Sequence, residues 1–212
     1  MSVMDITDTD ARILSEYGVS YLARLSPSTC HVYKGRSSSG LCVVKIGYRA
    51  DSGRPVDTHT QVYNEYRALL AMLGRELQLP TLLEPNHIKR EHDIIALVRR
   101  YIKGETFKTL HQRGELRRLP NAQMLRETVA ALHEAGFANL EIRAKNVVVS
   151  DNKPYLIDLG LAAHREDSRY SANDIHVDNR FLDQLVAEDP QLEDDDHQID
   201  PITLGNVAMF VS

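Results

Sequence analysis

The sequence predicts an α+β fold in two lobes, with a strand-rich N-lobe followed by a reduced, helical C-lobe. Two observations carry this expectation. From Cys30 to Tyr101 the chain reads as short strand-like runs interrupted by one amphipathic helix. Beyond Gly104 the pattern turns mainly helical, with one further hairpin. The expected division is a leading helix over residues 1–19, a first lobe over 20–103, and a second lobe over 104–212 that includes an acidic C-terminal segment.

Each element follows from local chemistry. Residues 7–17 carry Asp8 or Asp10 as a cap, apolar Ile13 and Leu14, and Gly18 at the stop position, which predicts a short helix. Runs 31–35 and 41–46 flank a Ser/Gly turn and predict a hairpin. Residues 60–73 place Val62, Leu69 and Met72 at helical spacing. Residues 86–91 and 94–101 read as a strand pair turning at His92-Asp93. Helices are expected over 105–113 and over 121–135, the latter capped by Asn121 and stopped by Gly136. Runs 147–150 and 155–158 predict a second hairpin, followed by a helix near 174–187. The acidic run 193–196 reads as a solvated loop.

Composition sets the boundaries of function. The 212 residues suffice for one cored domain or two small packed lobes, and 42% hydrophobic with 26% charged residues is ordinary for a globular protein. A formal charge of −5 makes neither DNA nor RNA an expected partner. Cys30 and Cys42 are too few for a disulfide framework and too far apart for a CxxC site, so both are expected as buried thiols in a reducing compartment. No apolar run approaches the ~20 residues that span a bilayer, and the first ten residues lack a signal-peptide pattern. The expected location is cytoplasmic.

Three features carry chemistry. Lys45 lies within the apolar run Leu41-Cys42-Val43-Val44-Lys45-Ile46, on the face of Val43. It can neutralise phosphate oxygens there, or it can be an edge-strand lysine that discourages aggregation. Glu65 falls on the helical stripe of Val62, Leu69 and Met72, where a buried carboxylate needs a cation, and Lys45 is a candidate. The alternative rotates the stripe toward Tyr66, Leu69, Leu70 and Leu73 and leaves Glu65 on the flank. Asn146 precedes Val147-Val148-Val149 and Asp158 follows Tyr155-Leu156-Ile157, so simple hairpin register brings them together at the open end. Two oxygen ligands there suit Mg²⁺, and Gly160 permits a sharp turn beside it. Strand-end turns are the alternative.

These residues carry a family resemblance. The segments Leu132-His133-Glu134-Ala135-Gly136-Phe137, Asn139-Leu140-Glu141-Ile142-Arg143-Ala144-Lys145-Asn146 and Leu156-Ile157-Asp158-Leu159-Gly160-Leu161-Ala162 resemble the catalytic and metal-binding loops of protein kinases. Lys45 resembles the phosphate-binding lysine of the third strand, and Glu65, twenty residues on, its helix partner. Residues 26–33 would be the phosphate loop and 94–105 the hinge. The likeness covers residues 26–188 and is nearest to small atypical members: RIO-like kinases, the kinase of the tRNA-threonylcarbamoyl complex, and lipopolysaccharide-core sugar kinases. In these, an acidic residue at the position of Asp178 would tie down the catalytic-loop backbone.

The sequence also departs from the family pattern. Glu141 stands where the family has a catalytic Asp, and a displacement of about 1 Å can cost roughly 10²-fold in rate. The loop Ser26-Pro27-Ser28-Thr29-Cys30-His31 has no glycine, so Ser28 and Thr29 would assist the backbone amides. Leu159 replaces the usual Phe, and no Ala-Pro-Glu follows.

The resemblance implies a minimal kinase-like fold and an ATP-dependent phosphotransferase. Lys45, Glu65, Ser28 and Thr29 would hold ATP, Asn146 and Asp158 Mg²⁺, Arg143 the transferring phosphoryl group, and Glu141 the acceptor hydroxyl. The acceptor expected is a protein Ser or Thr. The alternatives are a pseudokinase that binds nucleotide or a partner without transfer, and a lipopolysaccharide-core sugar kinase.

Overall fold

In the computed structural model, residues 6–26, 30–50, 57–83, 88–91, 93–187, 190 and 192 are described. The first half forms a five-stranded antiparallel sheet of β1 (Ser20–Ser26), β2 (His31–Ser37), β3 (Gly40–Tyr48), β4 (Ile88–Glu91) and β5 (Ile94–Arg100), in the order β1-β2-β3-β5-β4. One face carries α1 (Asp8–Glu16) and buries Ile13, Leu14, Val44, Ile46 and Val98. The other faces α2 (His59–Ala71), and its apolar side chains merge with those of the second half. Val62, Leu69 and Leu97 thus share one core with Leu125, Leu132, Leu140 and Leu156.

The second half comprises β6 (Glu105–Thr106), α3 (Phe107–Gln112), α4 (Ala122–Glu134), β7 (Phe137–Ala138), β8 (Val147–Ser150), β9 (Lys153–Leu156), β10 (Ala163–His164) and α5 (Ala172–Leu185). β6, β8 and β9 form one small sheet, and β7 pairs with β10. Gly136, at φ +90°, ends α4 as its position predicts. Ser171 and Asp174 cap α5 reciprocally. The fold is α+β, as the sequence predicts, and its arrangement is consistent with the minimal kinase-like fold that the resemblance implies.

Several local expectations are corrected. β1 was not expected, and it occupies the edge of the sheet. Residues 105 and 106 are a strand rather than helix, because they pair with Val149 and Val148. Asn121 precedes α4 in a left-handed conformation, and its side chain donates to the Asn152 carbonyl instead of capping. Thr7, not Asp8 or Asp10, caps α1. Asp10 is fully buried and accepts hydrogen bonds from the Tyr33 hydroxyl (2.7 Å) and the Tyr48 hydroxyl, with His31 Nδ1 at 2.6 Å. It therefore pins α1 to β2 and β3. The acidic run 193–196 lies outside the described residues.

Candidate functional site

β3 lies between β2 and β5, so Lys45 belongs to an inner strand and not to an edge. Val32 and Leu97 flank it in register. An ammonium only 5% exposed needs anionic partners, and Lys45 has two. Its Nζ donates to Glu65 Oε2 at 2.7 Å and to Asp158 Oδ1 at 2.8 Å. Burial opposes the charge, but the two carboxylates outweigh it and hold the lysine pKa above its ordinary value.

Glu65 sits on the buried stripe of α2 with Val62, Ala68 and Leu69, while Leu70 and Leu73 are exposed. The rotated stripe is therefore not adopted. Arg99, at the end of the apolar run of β5, supplies a second cation. Its Nε lies 2.8 Å from Glu65 Oε1, at ion-pair distance but off the hydrogen-bonding angle, and its Nη2 donates to the Ile157 carbonyl at 2.8 Å. α2 is also tied to the chain beyond Asp158. Asn64 Nδ2 donates to the Gly160 carbonyl at 3.0 Å, and Arg67 pairs with Asp167 at 2.8 Å.

The second hairpin pairs Val147 with Leu156, and the Ile157 amide donates to the Asn146 carbonyl at 2.9 Å. Asn146 thus stands opposite Ile157, one residue short of Asp158. Its Nδ2 donates to the Glu141 carbonyl at 3.1 Å, and Oδ1 is the atom that a hard cation takes. Asp158 Oδ1 also accepts from the Gly160 amide at 3.1 Å, and its side chain is 39% exposed. Burial would raise its pKa, but Lys45, the Gly160 amide and Arg99 outweigh burial and hold the carboxyl below the ordinary range. A Cβ on Gly160 would lie 3.3 Å from Asp158 Oδ1 and 3.5 Å from Lys45 Nζ, so glycine keeps this corner clear.

The loop between β7 and β8 alternates in burial. Leu140 and Ile142 are buried, which turns the intervening Glu141 away from the apolar core. Asn139 and Glu141 take positive φ values of 59° and 49°, uncommon for non-glycine residues. Asp178 on α5 holds this shape. Its Oδ1 accepts the Leu140 amide at 2.9 Å, and His133 Nε2 lies 3.1 Å from Oδ2. Burial raises the Glu141 pKa, the Asp158 charge adds to it, and Arg143 and Lys145 offset part of the rise.

Between the halves lies a cavity of about 530 Å³, whose lining includes Val32, Val43, Lys45, Tyr101 and Ile102 from the first half and Asn146 and Asp158 from the second. This size suits a small organic ligand. Of the residues expected at a site, Lys45, Glu65 and Asp158 meet directly, and Asn146 shares the cavity. Glu141 is joined to it through Asn146, and Arg143 is not among the lining residues. Ser28 and Thr29 lie outside the described residues. Arg99 was not anticipated, although an arginine at the end of a buried apolar strand is the same kind of signal that marks Lys45.

No family model matches the chain. Over 90 residues it is 28% identical to a protein named KEOPS complex subunit Bud32 from Pyrococcus abyssi (strain GE5 / Orsay). The matched stretch is 42% of this chain and 41% of that protein's length. The similarity supports a kinase-like relationship in general and no particular member of the group.

Proposed function

We propose that this chain is an ATP-dependent phosphotransferase that passes a phosphoryl group from Mg²⁺-ATP to a hydroxyl, with protein Ser or Thr as the acceptor. The observation that carries this is that Lys45, paired with buried Glu65, also meets Asp158 at the wall of a cavity that Asn146 lines as well. The buried lysine is paired with a carboxylate left 39% exposed toward that cavity, where a ligand can reach it.

The residues fit Mg²⁺ and a nucleotide. A carboxylate and an amide oxygen are hard donors of the kind Mg²⁺ takes beside phosphates, and the Gly160 corner leaves them room. When bound, the ion supplies charge neutralisation on the phosphates. Lys45, turned by Glu65, holds phosphate oxygens. Val32, Val43, Tyr101 and Ile102 offer the apolar slot for a base. Glu141 accepts the proton of the acceptor hydroxyl, and Arg143, two residues on, stabilises transferred charge. In this reading residues 20–103 cover the nucleotide and 104–212 present the catalytic loop. Ser28 and Thr29 are assigned to the phosphate side by position in the chain. The two buried cysteines, not joined in a disulfide, favour a reducing, cytoplasmic setting. Protein partners are proposed by likeness to a relative named as a complex subunit.

One observation favours the second reading, a nucleotide-binding pseudokinase. Glu141 is not among the cavity-lining residues, and its backbone is left-handed. Calorimetric titration of the protein with ATP, with and without Mg²⁺, tests the shared part of both readings. Binding strengthened by the metal is expected, and no binding under either condition would contradict both. Transfer of label from ATP then separates them.

A further inference from the structure

Glu65 has two cations where one would satisfy it. Lys45 Nζ lies 2.7 Å from Oε2, and Arg99 Nε lies 2.8 Å from Oε1. Val43 pairs with Arg99 and Lys45 with Leu97 across β3 and β5, so Lys45 and Arg99 are diagonal neighbours on one face of the sheet. With Glu65 and Asp158 they form a set of two positive and two negative groups. Arg99 is 6% exposed and Glu65 is 1% exposed. Leaving either without a partner would place a buried charge in the core.

Arg99 makes a second attachment that Lys45 does not. Its Nη2 donates to the carbonyl of Ile157, the residue immediately before Asp158. A planar guanidinium can serve two acceptors in fixed directions at once, which an ammonium on a flexible stem does less well. The same side chain therefore grips the α2 carboxylate and the backbone that aims Asp158. Lys45, meanwhile, holds Asp158 by its side chain at 2.8 Å, in the place where metal and phosphate would act.

Resting on the nucleotide reading above, we propose that Arg99 is a positioning residue. It keeps Glu65 paired and the Ile157–Asp158 backbone in place while Lys45 releases Asp158 and turns to the phosphates. In a site lacking Arg99, that turn would leave Glu65 sharing its one cation with the nucleotide. Here the carboxylate keeps a partner of its own. Arg99 also lines the cavity, but in this role it contacts neither metal nor phosphate. It acts through Glu65 and Asp158.

The test uses full-length Arg99→Met, Arg99→Lys, Lys45→Met and the Arg99→Met/Lys45→Met pair, with ATP as the probe. In Arg99→Met, ATP affinity with Mg²⁺ is expected to fall about tenfold or more, against a change under about threefold without the metal. Arg99→Lys should recover part of the metal-dependent loss, because it can reach Glu65 but cannot fork to Ile157. Melting temperatures without nucleotide form an independent cycle. Either single change should leave Glu65 one partner, and the double change should lower Tm by about 10 °C beyond the sum of the two. Equal affinity losses with and without Mg²⁺, or an additive cycle with normal ATP binding, overturn the role of Arg99 alone. A wild-type protein that binds no ATP overturns the nucleotide reading and this role with it.

Discussion

Lys45 and Asp158 lie 113 residues apart in sequence, and their side chains meet at 2.8 Å across the cavity between the two halves. The contact closes a lysine on β3 against a carboxylate beyond β9. Asp158 is also the more exposed partner, and Lys45 keeps Glu65 when Asp158 is removed. Asp158→Ala should therefore cost only about 1 kcal/mol of stability or less. The same change should abolish the Mg²⁺-dependent part of thermal stabilisation by ATP. Differential scanning fluorimetry checks both, and an unchanged metal-dependent shift would remove Asp158 from the metal site.

With Glu141 as the proposed general base, the pH dependence of turnover is specific. Burial, then the neighbouring Asp158 charge, raises its pKa above the ordinary 4.5. A general base works ionised, so activity is present above that raised pKa and lost as pH falls through it. The acidic limb of kcat/KM should therefore lie at higher pH than an ordinary glutamate would give. Glu141→Gln should lower kcat by about 10²–10⁴-fold and leave ATP affinity nearly unchanged. Glu141→Asp should also lower turnover, because the shorter side chain falls short of the acceptor. An active Glu141→Gln variant would assign the proton elsewhere.

From α5, Asp178 supports the loop that carries Glu141. Replacing it with Ala strands the buried Leu140 amide and removes the His133 contact. A loss of about 1–3 kcal/mol in urea unfolding is expected, together with slower turnover. Asp178→Asn should be milder, since an amide oxygen still accepts from Leu140. Equal losses for the two variants would show that charge, rather than the Leu140 hydrogen bond, is what counts.

The residues of the candidate site were legible for a physical reason. Lys45 and Glu65 each interrupt an apolar pattern, and a buried charge demands a partner. Asn146 and Asp158 bracket a hairpin announced by two apolar runs, although its register sets Asn146 opposite Ile157. β1 was hidden because an edge strand need not alternate cleanly, and Tyr21, Leu22 and Leu25 on it are all exposed. Arg99 was hidden because, beside Arg100, it resembles an ordinary polar strand end. Asp10 was hidden because a carboxylate at the start of a helix already has a sufficient explanation as its cap.

That buried Asp10 has its own consequence for acid stability. Burial works to raise its pKa, but His31, Tyr48 and Tyr33 outweigh it and bring it to about 2 from 3.8. A depressed carboxylate stabilises the fold above its unfolded pKa, and that stabilisation is lost as pH falls from about 4 toward 2. The size is up to about 2 kcal/mol. Urea unfolding of the wild type should lose that much more than Asp10→Asn between about pH 6 and pH 2. Parallel pH profiles for the two proteins would refute the clamp between α1 and the sheet.

Phosphoryl transfer is the central claim, and labelled ATP tests it most directly. Purified wild-type protein is incubated with γ-labelled ATP and Mg²⁺, alone and with a mixed protein acceptor, beside Asp158→Ala. Label on protein, or release of labelled phosphate, is expected from the wild type and should fall at least about 10²-fold in the variant. Equal label in both proteins, or none from a wild type that binds Mg²⁺-ATP tightly, would contradict the phosphotransferase.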